Sequence, residues 1–545
     1  MVDAPVPGSK TETRVSWAPL IALATAQFVM VLDQSVMNVS ISTLVEDFDT
    51  TVTTIQAVIT LYCLTMAMFI LTGAKVGDII GRRRAFMVGL FIYGAGSALT
   101  AVAPTVQVLT LGWSILEGIG AALVLPALAA LVAGNFEGRQ RLAAYAVLGG
   151  VAGAGIAIGP ILGGWATTEL SWRVVFVGEV ILVAFILIMT KAVADAPRAG
   201  AAPRLDYVGS ALSAAGLGIV VLAVLQSTTW GWVEPKDAPF TVFGFSPTLF
   251  AIATGGLLLW AFAVWQRRRE RIGTDPLVHL DLMRIPMLRS GLSGLFTQNL
   301  ILMGVFFVVP LYLQLVLGLN ALDTGIRMLP ISITMFATSA IGSRLSSRFS
   351  VRGIVRSGLV TAAVAVLILM ATIDPVLKGG WFAVSMAVLG VGMGLIVSQL
   401  GNVVQSSVDA SGRSEAGGLQ YTGQQLGSSL GIALIGAIVL TGLTNTFISQ
   451  IEEDPRIRAE VSAEVGVRVQ SGLDFVDSDQ VRAAVESSGL DQPTADALVE
   501  DYEQSQLQAL KAGLLAAALL ALLSLAFTKE LPSVVPEGSR ARQKE

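Results

Sequence analysis

Charge, cysteine and histidine are all scarce in this 545-residue chain: 14% of its residues are charged, and it has one cysteine and one histidine. A soluble domain carries about 25% charged residues, so the deficit points to lipid as the solvent. Cys63 stands alone inside an apolar run, which excludes an intrachain disulfide and a cysteine-based metal site. His279 sits in a charged loop, away from any nucleophile pattern, and is read as a loop residue. No Gly-x-x-x-x-Gly-Lys-Ser/Thr loop occurs, so the chain carries no ATPase of its own. No nucleophile–base pair or metal-ligand cluster stands out within the apolar runs, so an enzyme is not expected. Nothing calls for a metal, an organic cofactor or a nucleic acid.

Apolar residues, in contrast, make up 54% of the chain, mean hydropathy is +0.72, and there are 56 glycines. Glycine at that frequency suits helices packed closely in a bilayer. A span needs about 20 apolar residues, and fourteen such runs occur: 17–40, 54–74, 86–103, 107–133, 144–168, 174–192, 207–226, 248–266, 290–316, 324–343, 355–373, 381–402, 418–446 and 507–527. The first is too long for a signal peptide and lacks a small-residue cleavage site, so it reads as a retained span. An even count puts both termini on one side. Basic residues follow every even-numbered span, from Arg82, Arg83 and Arg84 after the second to Arg413 after the twelfth. The alternate loops carry Glu46, Asp47, Asp49, Glu234 and Asp374. By the positive-inside rule the termini (1–16 and 528–545) are expected in the cytoplasm of a bacterium, with the chain in its inner membrane.

One loop departs from the rest. Residues 447–506 hold fourteen acids against four arginines, a net charge of −10 in a chain whose total is −4. Apolar residues at helical spacing, such as Val481, Ala484 and Val485, predict short helices forming an external cap. Such a charge run reads first as a solvated insert; its alternative role is an acidic funnel that concentrates cations.

Three motifs carry functional content. After the second span comes Lys75-Val76-Gly77-Asp78-Ile79-Ile80-Gly81-Arg82-Arg83-Arg84, a tight turn with an acid facing several arginines. In the fifth span, Gly155, Gly159, Pro160, Gly163 and Gly164 place small residues at four-residue spacing around a bend. The first span contains Leu32-Asp33-Gln34-Ser35-Val36-Met37-Asn38-Val39, with an acid deep in an apolar run.

The first motif resembles the hallmark loop G-x-L-x-D-R-x-G-R-R/K of the major facilitator superfamily, with Asp78, Gly81 and Arg82 matching, Ala74 in place of the first glycine and Ile79 in place of the arginine. The second is similar to the antiporter signature of its exporting members. The third resembles L-D-x-T-V-x-N-V-A of the fourteen-spanner drug:proton antiporter family. Further likenesses to that family run in order along the chain, at Ser171-Trp172-Arg173, Leu205 to Gly209, Asp275-Pro276-Leu277, Pro310 to Gln314 and Gly417 to Gly427. The resemblance implies an all-α membrane fold of two six-helix halves, 17–192 and 290–527, with two extra central helices inside 193–289. It also implies that Asp78, Gly81, Arg82 and Arg83 latch the halves on the inner side.

Two departures bear on mechanism. Where the family has R-x-x-Q-G-x-G-A in span four, this chain has Ser114-Ile115-Leu116-Glu117-Gly118-Ile119-Gly120-Ala121; and Glu179 stands where the family has asparagine. One buried cation is thus exchanged for two additional acids. An ionised side chain in hydrocarbon costs at least about 2.5–3.5 kcal/mol, so such residues face a wet cavity and act. Asp33, Glu117 and Glu179 are therefore the expected proton-coupling groups. Gln27, Asn38, Tyr62, Gln298, Asn299, Tyr312, Gln314, Gln420 and Gln424 are the expected substrate-cavity residues. The expected activity is export of lipophilic compounds, cations among them, in exchange for protons by a monomer. Alternatives are export of a native lipid or metabolite, or a membrane sensor or scaffold acting through the external insert.

Overall fold

In the computed structural model, residues 17–136, 138–195, 204–409, 412–469, 473–488 and 490–533 are described; the tail 1–16 and residues 534–545 lie outside them. Fourteen helices are long and apolar enough to cross a membrane. They are α1 (Ala18–Val39), α2 (Val52–Ile80), α3 (Arg82–Ala101), α4 (Val106–Asn135), α5 (Gly138–Glu169), α6 (Trp172–Met189), α7 (Tyr207–Trp230), α8 (Pro247–Arg271), α9 (Pro286–Val316), α10 (Ala321–Leu345), α11 (Val351–Ala371), α12 (Gly379–Ser406), α13 (Arg413–Glu453) and α14 (Gln492–Ser524). No strand pairing beyond the single bridge Val242–Phe245 occurs among the described residues. The all-helical, fourteen-span expectation holds.

Local chemistry starts these helices where they start. Proline opens α1, α8, α9 and α14 in the first turn, where no amide partner is lost. Side chains of Thr51, Thr105, Ser171, Asp206, Ser246, Asn320 and Ser350 accept an otherwise orphaned amide at other N-termini. Gly81 joins α2 to α3 at φ +103°, a conformation side chains with a Cβ avoid.

Packing groups the spans in two sets. In the first, α1 lies on α5 and α6, α2 on α4, and α3 on α4 and α6; in the second, α9 lies on α13, α10 on α12, and α11 on α12 and α14. Two long contacts join the sets, α5 against α10 and α2 against α13. Helices α7 and α8 pair with each other, and α7 rests on α2 and α13 at the seam. Only 11% of α8's span is buried, so it faces lipid almost throughout. At the arginine-rich face the pair is tied by Asp206, whose carboxylate accepts from Gly209 N, Trp265 Nε1 and Gln266 Nε2 at 2.8–3.2 Å. Gln266 in turn accepts from Leu277 N at 2.8 Å, which explains two of the family-like segments as helix caps and ties.

The acidic insert is less separate than its polarity suggested. Helices α13 and α14 run 41 and 33 residues, well past the about 20 a bilayer requires, and continue into 447–506. Their extensions stay helical because Phe447, Ile451, Leu498 and Tyr502 bury one another there. Two short helices, Ala459–Val469 and Ser478–Ser487, bridge the extensions. Buried Phe475 and the Tyr502 hydroxyl, which donates to Asp474 O at 2.9 Å, pin the cap. Val481 and Val485 pack inward as the spacing predicts, whereas Ala484 is exposed.

Candidate functional site: three acids in the first helical set

Five helices converge on one buried cluster. Asp33 comes from α1, Glu117 from α4 and Glu179 from α6, and one carboxylate oxygen of each lies within 4.8 Å of the others. All three residues are at most 1% exposed. Counting 1.5 Å per residue, Asp33 lies about 9 Å, Glu179 about 10 Å and Glu117 about 17 Å from the helix ends on the face opposite the arginine-rich loops. The site thus lies within the half of the bundle away from the arginine-rich loops.

The backbone is shaped to bring them together. Helix α4 is π-helical from Thr110 to Glu117, a form that recurs at functional sites. Small residues let α3 and α4 touch: a Cβ on Gly96 would lie 2.6 Å from Gly112 O and 2.7 Å from Glu117 Cγ. Likewise a Cβ on Gly120 would lie 2.6 Å from Tyr93 N.

The three carboxyls are supported unequally. Trp113 Nε1 donates to both oxygens of Asp33, at 2.9 and 3.1 Å. The Trp113 ring stacks on Tyr62, with centroids 4.8 Å apart and planes at 11°. Glu179 Oε2 accepts from the Tyr93 hydroxyl at 3.3 Å and from Ser97 Oγ at 3.2 Å. Both oxygens of Glu117, Oε1 of Glu179 and the Tyr62 hydroxyl are buried with no partner within hydrogen-bond distance among the described residues. Among the described residues no lysine, arginine or histidine forms an ion pair with any of the three acids. Two unit charges 4.8 Å apart at an effective dielectric of about 20 repel by about 3.5 kcal/mol, on top of the desolvation each must bear. Three carboxylates therefore do not coexist here; protons or a cation must neutralise them.

Several expectations need adjusting. No metal-ligand cluster was anticipated in the spans, yet three carboxyls meet; their separation along the chain hid it. The acids were expected on the wall of a wet cavity, but this form of the protein seals them behind Tyr62, Trp113 and Tyr93. Of the expected cavity residues, Tyr62 belongs to the site. Tyr312 instead donates its hydroxyl to Asp374 O at 2.7 Å. The Gln314 amide is likewise engaged: its nitrogen donates to Val39 O at 2.9 Å and its oxygen accepts from Ser42 N and Oγ at 3.2 and 2.6 Å. Both are structural ties, because a buried amide or phenol satisfies itself on the nearest backbone. Gln27, Asn38 and Gln298 are buried, while Asn299, Gln420 and Gln424 are partly exposed. Asn38 and Asn299 donate to the carbonyls of Gln34 and Leu295 in their own helices. Gln34 links the two sets of helices, donating to Gln425 Oε1 at 3.5 Å and to Cys63 Sγ at 3.1 Å.

Trp113, Tyr93 and Ser97 were not singled out from the sequence. Tyr93 and Ser97 are four apart on α3 and share a face, and Trp113 stands four before Glu117; only the acids' lack of a cation hints that such donors are needed.

The glycine-rich motif packs α5 against α1 within the first set and, at Gly164, against α10 of the second. Gly155, Gly159 and Gly163 lie against Val31, Ser35 and Val36 of α1. A Cβ on Gly164 would stand 2.4 Å from Ala321 O, and one on Gly325 2.1 Å from Pro160 O, so α5 and α10 touch backbone to backbone. At Gly149 and Gly150, towards the arginine-rich face, an added Cβ meets nothing within 4 Å. The Gln314 tie joins the sets at the ends of α1 and α9 away from the arginine-rich loops, and the Ser332 Oγ bond to Ile156 O at 3.1 Å joins them further along α5 and α10. In the loop motif, Asp78 pairs with Arg82 on the next turn. Arg83 bonds Asp195 Oδ1 at 3.0 Å and Thr190 O at 3.1 Å at the end of α6, inside the first set. The expected latch across the halves is, for Asp78 and Arg83 in this form, a brace within one of them.

Comparison with known proteins agrees with this architecture. The chain is 29% identical over 461 residues to the probable actinorhodin transporter of Streptomyces coelicolor, covering 82% of this chain and 76% of that one. It is 27% identical to the tetracenomycin C resistance and export protein of Streptomyces glaucescens, with 84% and 83% coverage. It is 26% identical to the multidrug resistance protein Stp of Mycobacterium tuberculosis, with 83% and 81% coverage. Among solved structures, a bacterial homologue of the human lysosomal transporter Spinster, inward-facing and unoccupied, superposes with a TM-score of 0.58 at 14% identity, covering 96% and 98% of the two chains. The peptide transporter POT in complex with sulfate gives 0.59 at 13% identity, covering 97% and 98%. Residues 23–432 match the model of the Major Facilitator Superfamily, and with its fourteen spans the chain belongs to that superfamily as a multi-pass membrane transporter, not an enzyme.

Proposed function

We propose that this protein exports lipophilic compounds, cations among them, in exchange for protons, from the inner membrane of a bacterium with both termini in the cytoplasm. The observation that carries the reading is the carboxyl cluster of Asp33, Glu117 and Glu179, buried within the span with no ion-pair partner among the described residues. Such a cluster must trade neutralising charge whenever water reaches it. The relatives named for resistance and export support the drug-export part. Two sets of helices meeting at α5–α10 and α2–α13 supply surfaces about which they rock to expose a site alternately. Opening on the outer side admits protons to the cluster and releases substrate; opening inward lets protons leave and substrate enter. Each inward proton contributes about 2.3 kcal/mol per 100 mV of membrane potential.

The names of two relatives favour a second reading of substrate: actinorhodin and tetracenomycin C point to a metabolite as the natural cargo. The coupling step is the same in both. The test is efflux into inverted vesicles energised by respiration. Asp33→Asn is expected to fold and to lose proton-driven uptake; uphill pumping by that variant removes Asp33 from coupling.

A further inference from the structure

Neutralisation of the cluster can be divided among its members. Asp33 has the best support for a negative charge, because one indole N–H donates to both of its oxygens. Glu117 has none: neither oxygen has a partner within hydrogen-bond distance among the described residues, and its Cγ lies where a Cβ on Gly96 would stand 2.7 Å away. Glu179 is intermediate: Oε2 accepts from the Tyr93 hydroxyl at 3.3 Å and shares the one Ser97 hydroxyl proton with Tyr93 O, at 3.2 Å each, while Oε1 has no described partner. Among the described residues, the groups beside the cluster from the neighbouring α2, α3 and α4 are neutral: Tyr62 and Cys63, Tyr93 and Ser97, and Trp113. The Tyr62 hydroxyl, a group outside the acids, is also buried, with no partner within hydrogen-bond distance among the described residues. One charge on Asp33 is thus sustained, and a second or third at this separation is not.

We infer that the form with these acids buried carries two protons, on Glu117 and Glu179, beside a charged Asp33, so that a transport cycle exchanges at least two protons per substrate. This rests on the proton-exchange reading and adds its load. The two acids gained relative to the family pattern at these positions are then the two proton carriers, held protonated beside the charge on Asp33, and exchange against a singly charged cation moves net charge across the membrane.

Infrared spectroscopy of the purified protein in lipid nanodiscs at neutral pH tests the load without any substrate. The stretch of protonated carboxyl groups, scaled to the amide band, is expected to equal two carboxyls from this cluster in the wild type. Glu117→Gln and Glu179→Gln should each remove about half of it, and the double variant all of it, with elution volume and helicity unchanged. An amplitude of one carboxyl or none overturns the inference, as does a band insensitive to both substitutions or one that grows only after a chelator strips a metal ion. Should the single variants fail to fold, the scaled wild-type amplitude still decides. Absent proton movement during transport with the two-carboxyl band intact sinks the exchange reading alone; proton-coupled transport with a one-carboxyl band sinks the two-proton load alone.

Discussion

Replacing Gly96 by alanine probes whether the close approach of α3 and α4 builds the acid site. The added methyl would stand 2.6 Å from Gly112 O and 2.7 Å from Glu117 Cγ. An ordinary contact is about 3.5 Å, so the two helices must part by roughly 0.9 Å, because the obstacle at Gly112 is backbone and cannot turn aside. Overpacking of this kind costs about 1–3 kcal/mol. Gly178 is the matched control: it adjoins Glu179 on α6, and its added methyl meets nothing within 4 Å. Gly178→Ala should be neutral or stabilising by up to about 1 kcal/mol from helix propensity. Thermal unfolding in lipid nanodiscs, read by intrinsic fluorescence, should place Gly96→Ala clearly below the wild type and Gly178→Ala at or above it. Proton-driven efflux should fall in the first variant and persist in the second. Equal melting of the two variants would refute the claim that this contact holds the site.

Four further outcomes follow. Trp113→Phe keeps the stack on Tyr62 but deletes the N–H donor to Asp33; a hydrogen bond to a charged group is worth about 1.5–3 kcal/mol, so proton-driven uptake should shift its pH dependence while expression stays normal. Gln314→Leu removes a two-way amide tie between the helical sets and should increase labelling of a cysteine placed at Ser42 by a membrane-impermeant reagent. Gly164→Ala should cost about 1–3 kcal/mol in a thermal melt, because its methyl collides with Ala321 O. For Asp206, burial pushes its carboxyl up, but the Gly209 amide, Trp265, Gln266 and Arg269 outweigh that and hold it below the usual range. Its contribution is therefore complete above the unfolded value and lost only as the pH drops through the lowered folded value. Hydrogen-exchange protection at Gly209 should persist at pH 4.5 and be absent in Asp206→Ala at every pH.

The fold was legible because its signal is local. A run of about 20 apolar residues declares a span whatever surrounds it, and all fourteen runs became helices. Their ends were less so: α13 and α14 overrun the bilayer because Phe447 and Tyr502 bury each other, a tertiary contact invisible in hydropathy. The individual acids were legible by their cost in hydrocarbon. Their meeting was not, since it depends on the relative register of α1, α4 and α6 and on the π-helical turn before Glu117. Gln314 and Tyr312 read as cavity residues because polar side chains in spans look alike until their partners are seen. The glycine motif was legible as a contact, but only coordinates show that Gly155, Gly159 and Gly163 serve α1 while Gly164 serves α10.

Recording luminal pH in sealed proteoliposomes while a transported compound is added bears most directly on the acid cluster as the proton carrier. Wild-type protein should move protons opposite to the compound, and the triple variant Asp33→Asn, Glu117→Gln, Glu179→Gln should bind the compound yet move none. Undiminished, compound-dependent proton flux in that triple variant would contradict the account.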